Sequence, residues 1–118
     1  MSIGNLWANN AIDYLLNRDT YFALHISDPG ATGELSSELT GGSYARVLST
    51  FSSAASREAA NNAQVVFPNL PASIVTHVGV WTASSFGEII CSGAFPSALT
   101  VTDGDPLVIQ IGDFAVSV

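Results

Sequence analysis

Apolar residues recur along this chain with two different periods. Near its start, Leu6, Trp7, Ala11, Tyr14, Leu15 and Arg18 lie three and four residues apart, with Asn9, Asn10, Asp13 and Asn17 opposite them. That spacing predicts an amphipathic helix between about Gly4 and Asn17, with Asn5 or Ser2 able to cap its start. A helix this short is marginal alone and must lie against something. Either its apolar stripe closes one end of the remaining domain, or Leu6 and Trp7 dock onto a partner subunit.

From Thr20 onward the period is two, the period of strands. Thr20 to Ser27 alternates Phe22, Leu24 and Ile26 with Tyr21, Ala23 and His25, and Asp28-Pro29-Gly30 ends it in a turn. Ala31 to Ser43 has no period and reads as a long loop, near which the acids Asp28, Glu34 and Glu38 gather. Tyr44 to Phe51 returns to strand, Ser52 to Asn62 reads as a loop or a helical turn around Arg57 and Glu58, and Asn62 to Phe67 is a strand stopped by Pro68. Two runs, Ile74 to Thr82 and Glu88 to Phe95, then form a hairpin that we expect to be central and covered on both sides. Simple alternation puts Val75, His77 and Trp81 on one of its faces, with Trp81 buried. Leu99 to Thr102, Leu107 to Gly112 and Phe114 to Val118 complete the strands. The expected fold is mostly β: an antiparallel sandwich or barrel of about seven or eight strands with one N-terminal helix. Residues 1–118 read as a single domain, helical over 1–19 and β over 20–118.

Charge narrows the function. The chain has 118 residues, 47% hydrophobic and only 11% charged, and its three cations (Arg18, Arg46 and Arg57) face ten carboxylates for a net −7. That balance argues against nucleic acid and against an anionic membrane as partners. Arg46, a rare cation, is expected to pair with a carboxylate of the Asp28 to Glu38 segment and hold that loop down. A surface of short polar side chains suits packing into an assembly. Cys91 is the single cysteine, so no internal disulfide can form, and its apolar run predicts a small buried hydrophobe. Neither a signal peptide nor a membrane-crossing run of about 20 apolar residues is apparent. The expectation is a chain made in a cytoplasm that stays soluble or assembles there.

No catalytic pattern emerges. His25, His77 and Cys91 lack metal-ligand spacing, and both histidines read as strand residues bonded to backbone or water. Asp103-Gly104-Asp105 resembles half a calcium loop, but a tight turn explains it. There is no G-x-S-x-G, and Thr40-Gly41-Gly42-Ser43 has no lysine to make a phosphate loop. The reading is a protein with no catalytic residue, no cofactor and no metal.

Five blocks in order carry a resemblance: Tyr21-Phe22-Ala23-Leu24-His25-Ile26-Ser27-Asp28-Pro29-Gly30, Gly41-Gly42-Ser43-Tyr44-Ala45-Arg46, Val66-Phe67-Pro68, Val75-Thr76-His77-Val78-Gly79-Val80-Trp81, and Gly104-Asp105 before Leu107. They resemble a family of small tailed-bacteriophage virion proteins across nearly the whole chain, departing at Ile26, where Thr is usual, and at Thr82, where Asp often follows the aromatic residue. The resemblance implies a β-rich virion structural protein assembled in the host cytoplasm. Within that class, a capsid decoration (cement) protein on the major capsid protein, bound beside copies of itself as in a trimer, leads. A tail, tail-fibre or baseplate component is the alternative, and a carbohydrate-binding module is a third. Leu6, Trp7, Asp28, Glu34 and Glu38 are the candidate partner surface; Arg46, His77 and Trp81 are structural. Trp7, like Trp81, sits in an apolar pattern that reads more simply as core than as a stacking platform.

Overall fold

A computed structural model describes residues 3–118. Helix α1 (Asn5–Leu16) precedes eight strands: β1 (Thr20–His25), β2 (Val47–Ser49), β3 (Glu58–Ala60), β4 (Val65–Phe67), β5 (Ser73–Trp81), β6 (Ile89–Val101), β7 (Leu107–Ile109) and β8 (Ala115–Ser117). All pairs are antiparallel. A four-stranded sheet in the order β2-β1-β5-β6 is accompanied by the two-stranded pairs β3-β8 and β4-β7, in a sandwich-like arrangement. The apolar core gathers Phe22 and Leu24 of β1, Val65 and Phe67 of β4, Val75, Val78 and Val80 of β5, and Leu107 and Ile109 of β7. Phe51 and Phe114 meet Phe22 edge-on at 5.7 and 5.2 Å between ring centres, a favoured aromatic geometry.

Several expectations change. Of the hairpin, only β5 is central; β6 is an edge strand with much of its length exposed, and it runs unbroken into the segment read as a separate strand at Leu99. Val75 does not share a face with His77 and Trp81. The β5–β6 register slips between Val75 and His77, where two steps along β5 face five along β6 (Leu99 to Ala94), and such a bulge breaks the strict alternation of side chains on either side of it. Val75 therefore joins Val78 and Val80 in the core, while His77, Gly79 and Trp81 take the opposite face.

The strand read over Tyr44 to Phe51 shrinks to Val47–Ser49 because the edge of β1 is already occupied. Leu39 N–H donates to Leu24 O at 2.9 Å and Ile26 N–H to Ser37 O at 2.8 Å, so the long loop serves as a partial neighbour there. The Ser52 to Asn62 segment contains β3, not a helical turn. Ser56 and Arg57 adopt φ of 51° and 66°, which closes a tight turn from Ala55 to Glu58 and sends Glu58–Ala60 to pair with β8. Asn5 does not cap α1: Gly4 holds the N-cap position with no side-chain bond. Ser2 lies outside the described residues.

Candidate assembly interface

Two tryptophan-centred regions bear on function, one internal and one external. The internal region covers the face of β1 and β5 that looks away from the core. Trp81 is 1% exposed there. Its Nε1–H donates to His25 Nε2 at 3.2 Å, and His25 Nδ1 lies 2.8 Å from Ser37 Oγ, whose hydroxyl donates to Glu34 O at 2.6 Å. Ser37 has one proton and spends it on Glu34, so His25 must donate from Nδ1 and accept at Nε2. This chain of bonds fixes the neutral tautomer, and burial lowers the His25 pKa in the same direction.

Arg46 closes the region from above. Its guanidinium sits 4.2 Å from the Trp81 ring centre, within cation–π range. Nε and Nη2 bond both oxygens of Glu38, at 2.9 and 2.8 Å, and Nη1 donates to the carbonyls of Ala83 and Phe86 at 2.9 and 2.7 Å. Tyr44 adds its hydroxyl to Glu38 Oε2 at 2.6 Å and accepts from Leu24 N–H at 3.1 Å. Burial alone would raise the Glu38 pKa, but the hydrogen bonds from Arg46 and Tyr44 and the guanidinium charge outweigh it and hold the carboxyl below its usual range. Burial and the neighbouring Glu38 push the Tyr44 phenol strongly upward. Glycine is needed at two places. A Cβ on Gly79 would come 2.7 Å from His25 Nε2, and one on Gly33, at φ +70°, would come 2.9 Å from the Trp81 ring. The region is a latch joining the Glu34-to-Arg46 loop, the sheet and the β5–β6 turn.

The external region is α1. Its buried stripe is only Ala8 and Ile12, flanked by half-buried Asn9 and Asp13. Asn9 Oδ1 accepts the backbone N–H of Arg57, and Asp13 Oδ1 that of Ala54, each at 2.8 Å. The tight turn before β3 presents these two donors, and residues four apart on a helix share a face to meet them. The helix is therefore rotated relative to the inward-stripe expectation: part of its polar side faces the domain. Leu6, Trp7 and Tyr14 point outward at 65%, 69% and 73% exposure, with Ala11 and Ile3 also exposed. Trp7 is thus not core. Arg18 folds back over the Tyr14 ring at 5.2 Å and donates to Tyr14 O.

The residues expected to form one partner surface do not act alike. Leu6 and Trp7 stand exposed on α1, which is attached at the β3 turn. Glu38 is consumed by Arg46 and Tyr44, so it is not a free contact. Exposed Asp28 holds its own turn through Gly30 N–H at 2.8 Å. Glu34 is exposed but stands at the latch, not beside α1. The two histidines bond side chains rather than backbone: His77, half-buried, meets Thr76 Oγ1 at 2.8 Å. Cys91 is half-buried, and burial raises its thiol pKa to about 11, which disfavours the reactive thiolate. Sequence reading missed Tyr14 as an exposed anchor and Asn9 and Asp13 as the inward side; the helical period gives the stripe but not its direction. Among the described residues no three His, Cys, Asp or Glu side chains gather into a metal-holding group, and no helix is long and apolar enough to cross a membrane.

A small antiparallel β-domain with a fully bonded internal latch and an outward apolar helix has the character of a structural subunit. The sequence agrees: the family described as podophage GP4 fiber I protein gp80 matches residues 3–117, and the chain belongs to that family. It is on that ground a phage virion structural protein of a fibre-related family, and its partners are other virion components. No curated protein matches the chain.

Proposed function

We propose that this domain is a non-enzymatic packing subunit of the phage fibre apparatus, joined to its neighbour through the outward face of α1. The observation that carries the reading is the helix that turns polar residues toward its own domain and Leu6, Trp7 and Tyr14 toward solvent. The exposed side chains of Ile3, Leu6, Trp7, Tyr14 and Leu15 offer on the order of 600 Å², the upper end for a patch on a typical monomer and near the ~800 Å² per partner of a standard interface. The stripe lacks carboxylates, so the contact rests on apolar burial and moderate salt weakens it little. The latch supports a structural role as well, since among the described residues no buried side-chain N or O atom lacks a bonding partner. The fibre family supports the fibre location. An image reconstruction of intact particles tests it: density for the domain is expected along the fibre or tail in limited copies. Many copies spread over the shell would replace this reading with capsid decoration.

A further inference from the structure

We propose that the partner of the α1 face is a second copy of this chain, its helix packed antiparallel across a two-fold axis between Asn10 and Ala11. The proposal rests on the reading of α1 as the docking face and adds the identity of the occupant. Along the outward face of α1 run Trp7, Asn10 with Ala11, and Tyr14, at the three- and four-residue spacing that keeps side chains on one helical face, with exposed Ile3 just before the helix and exposed Arg18 just after it. This line is complementary to itself when reversed. Turned about its midpoint, Trp7 meets Tyr14 of the copy, Ile3 meets Arg18, and Asn10 meets Ala11. A closed two-fold contact requires such a match, because each patch must serve as its own partner. The small residues fall at the centre, where helices must approach most closely, and the aromatic residues fall on either side as anchors.

Charge favours a copy at this face. Each chain carries −7, so two copies can meet only where carboxylates are absent. The outward face of α1 has none: Asp13, the one carboxylate of the helix, is turned inward onto Ala54 N–H, and exposed Arg18 and Asp19 follow just beyond the helix as a pair of opposite charges. Antiparallel helices also set opposite ends of their dipoles together. Two patches on the order of 600 Å² each, Leu6 and Leu15 included as flanking residues, give at most about 1,200 Å² in total, the lower bound for specific stable interfaces. An interface at this lower bound makes the dimer reversible on dilution, and high local concentration holds it within the virion.

Sedimentation equilibrium of the purified chain is expected to show a monomer–dimer equilibrium that Trp7→Ser weakens at least ~10-fold, with the circular dichroism spectrum unchanged and the melting temperature unchanged at dilutions where both chains are monomeric. Cysteine cross-linking in a Cys91→Ala background reads the geometry. Ala11→Cys is expected to form a disulfide dimer with itself. Ile3→Cys and Arg18→Cys are expected to cross-link when mixed and not separately. A chain that stays monomeric and uncross-linked at ~1 mM overturns the self-pairing. Cross-linking of Arg18→Cys with itself overturns the antiparallel arrangement. The α1 docking reading fails separately, if Trp7→Ser enters particles at the wild-type level.

Discussion

The two tryptophans of this chain occupy opposite kinds of place. Trp81 is 1% exposed, bonded through its N–H, covered by a guanidinium and flanked by Gly79, where a Cβ would crowd its Nε1 at 2.8 Å. Trp7 is 69% exposed and lies on a helix whose hydrogen bonds to the domain are all made from other positions. Both sit in apolar sequence patterns. Burying an aromatic ring and its polar tip took a dedicated set of partners at Trp81; at Trp7 the chain supplies none, which is what a side chain awaiting another surface requires.

The largest expected effect lies on the buried side of this contrast. Trp81→Ala empties a closed aromatic site and is expected to cost ~3–5 kcal/mol in chemical denaturation. An unchanged midpoint would mean that the ring is not core. Next is Arg46→Met, which leaves Glu38 without its bidentate partner and releases the carbonyls of Ala83 and Phe86. With the two side chains 2% and 12% exposed, the loss is expected at ~3 kcal/mol, with faster proteolysis across Asp28 to Ser43. Normal loop resistance in that variant would contradict the latch.

Acid should loosen the latch in two stages. The His25 pKa is depressed below 6.5 by burial, with Arg46 and His77 acting the same way and Glu38 and Asp28 opposing. Because the folded value lies below the unfolded one, its contribution is complete above about 6.5 and is lost as pH falls through the folded value. Protonation at Nε2 would also set two donors, His25 and Trp81, against each other. Glu38, depressed below 4.5, adds a second loss below that pH by the same sign. The melting temperature is expected to fall from pH 7 toward 4, and His25→Gln to remove the upper stage. A flat profile in the wild-type chain would show that neither group is linked to folding.

Some of this contrast was legible in the residues. Alternation identified β1 and β5, and the scarcity of cations drew Arg46 to a carboxylate of the preceding loop, observed as Glu38. Two kinds of information were not local. The register slip between Val75 and His77 depends on how many residues β6 places opposite Thr76, so alternation along β5 alone assigned Val75 to the wrong face. The direction of α1 depends on two backbone donors, Ala54 and Arg57, more than forty residues away, exposed by a turn with positive φ at Ser56 and Arg57. A hydrophobic period cannot reveal that part of a helix's polar side has partners inside its own domain. The β3 strand was likewise hidden, because its small residues carry little β signal and its pairing is with β8 at the other end of the chain.

The smallest expected change in stability carries the central claim, that the outward face of α1 is an attachment surface. Replacing exposed Trp7 by Ser should alter folding stability by no more than ~0.5 kcal/mol. The measurement is the amount of Trp7→Ser chain retained in purified particles, relative to wild type, with its melting temperature taken in parallel. The account predicts an unchanged melting temperature and particles depleted of the domain. Full retention of the variant in particles would contradict it.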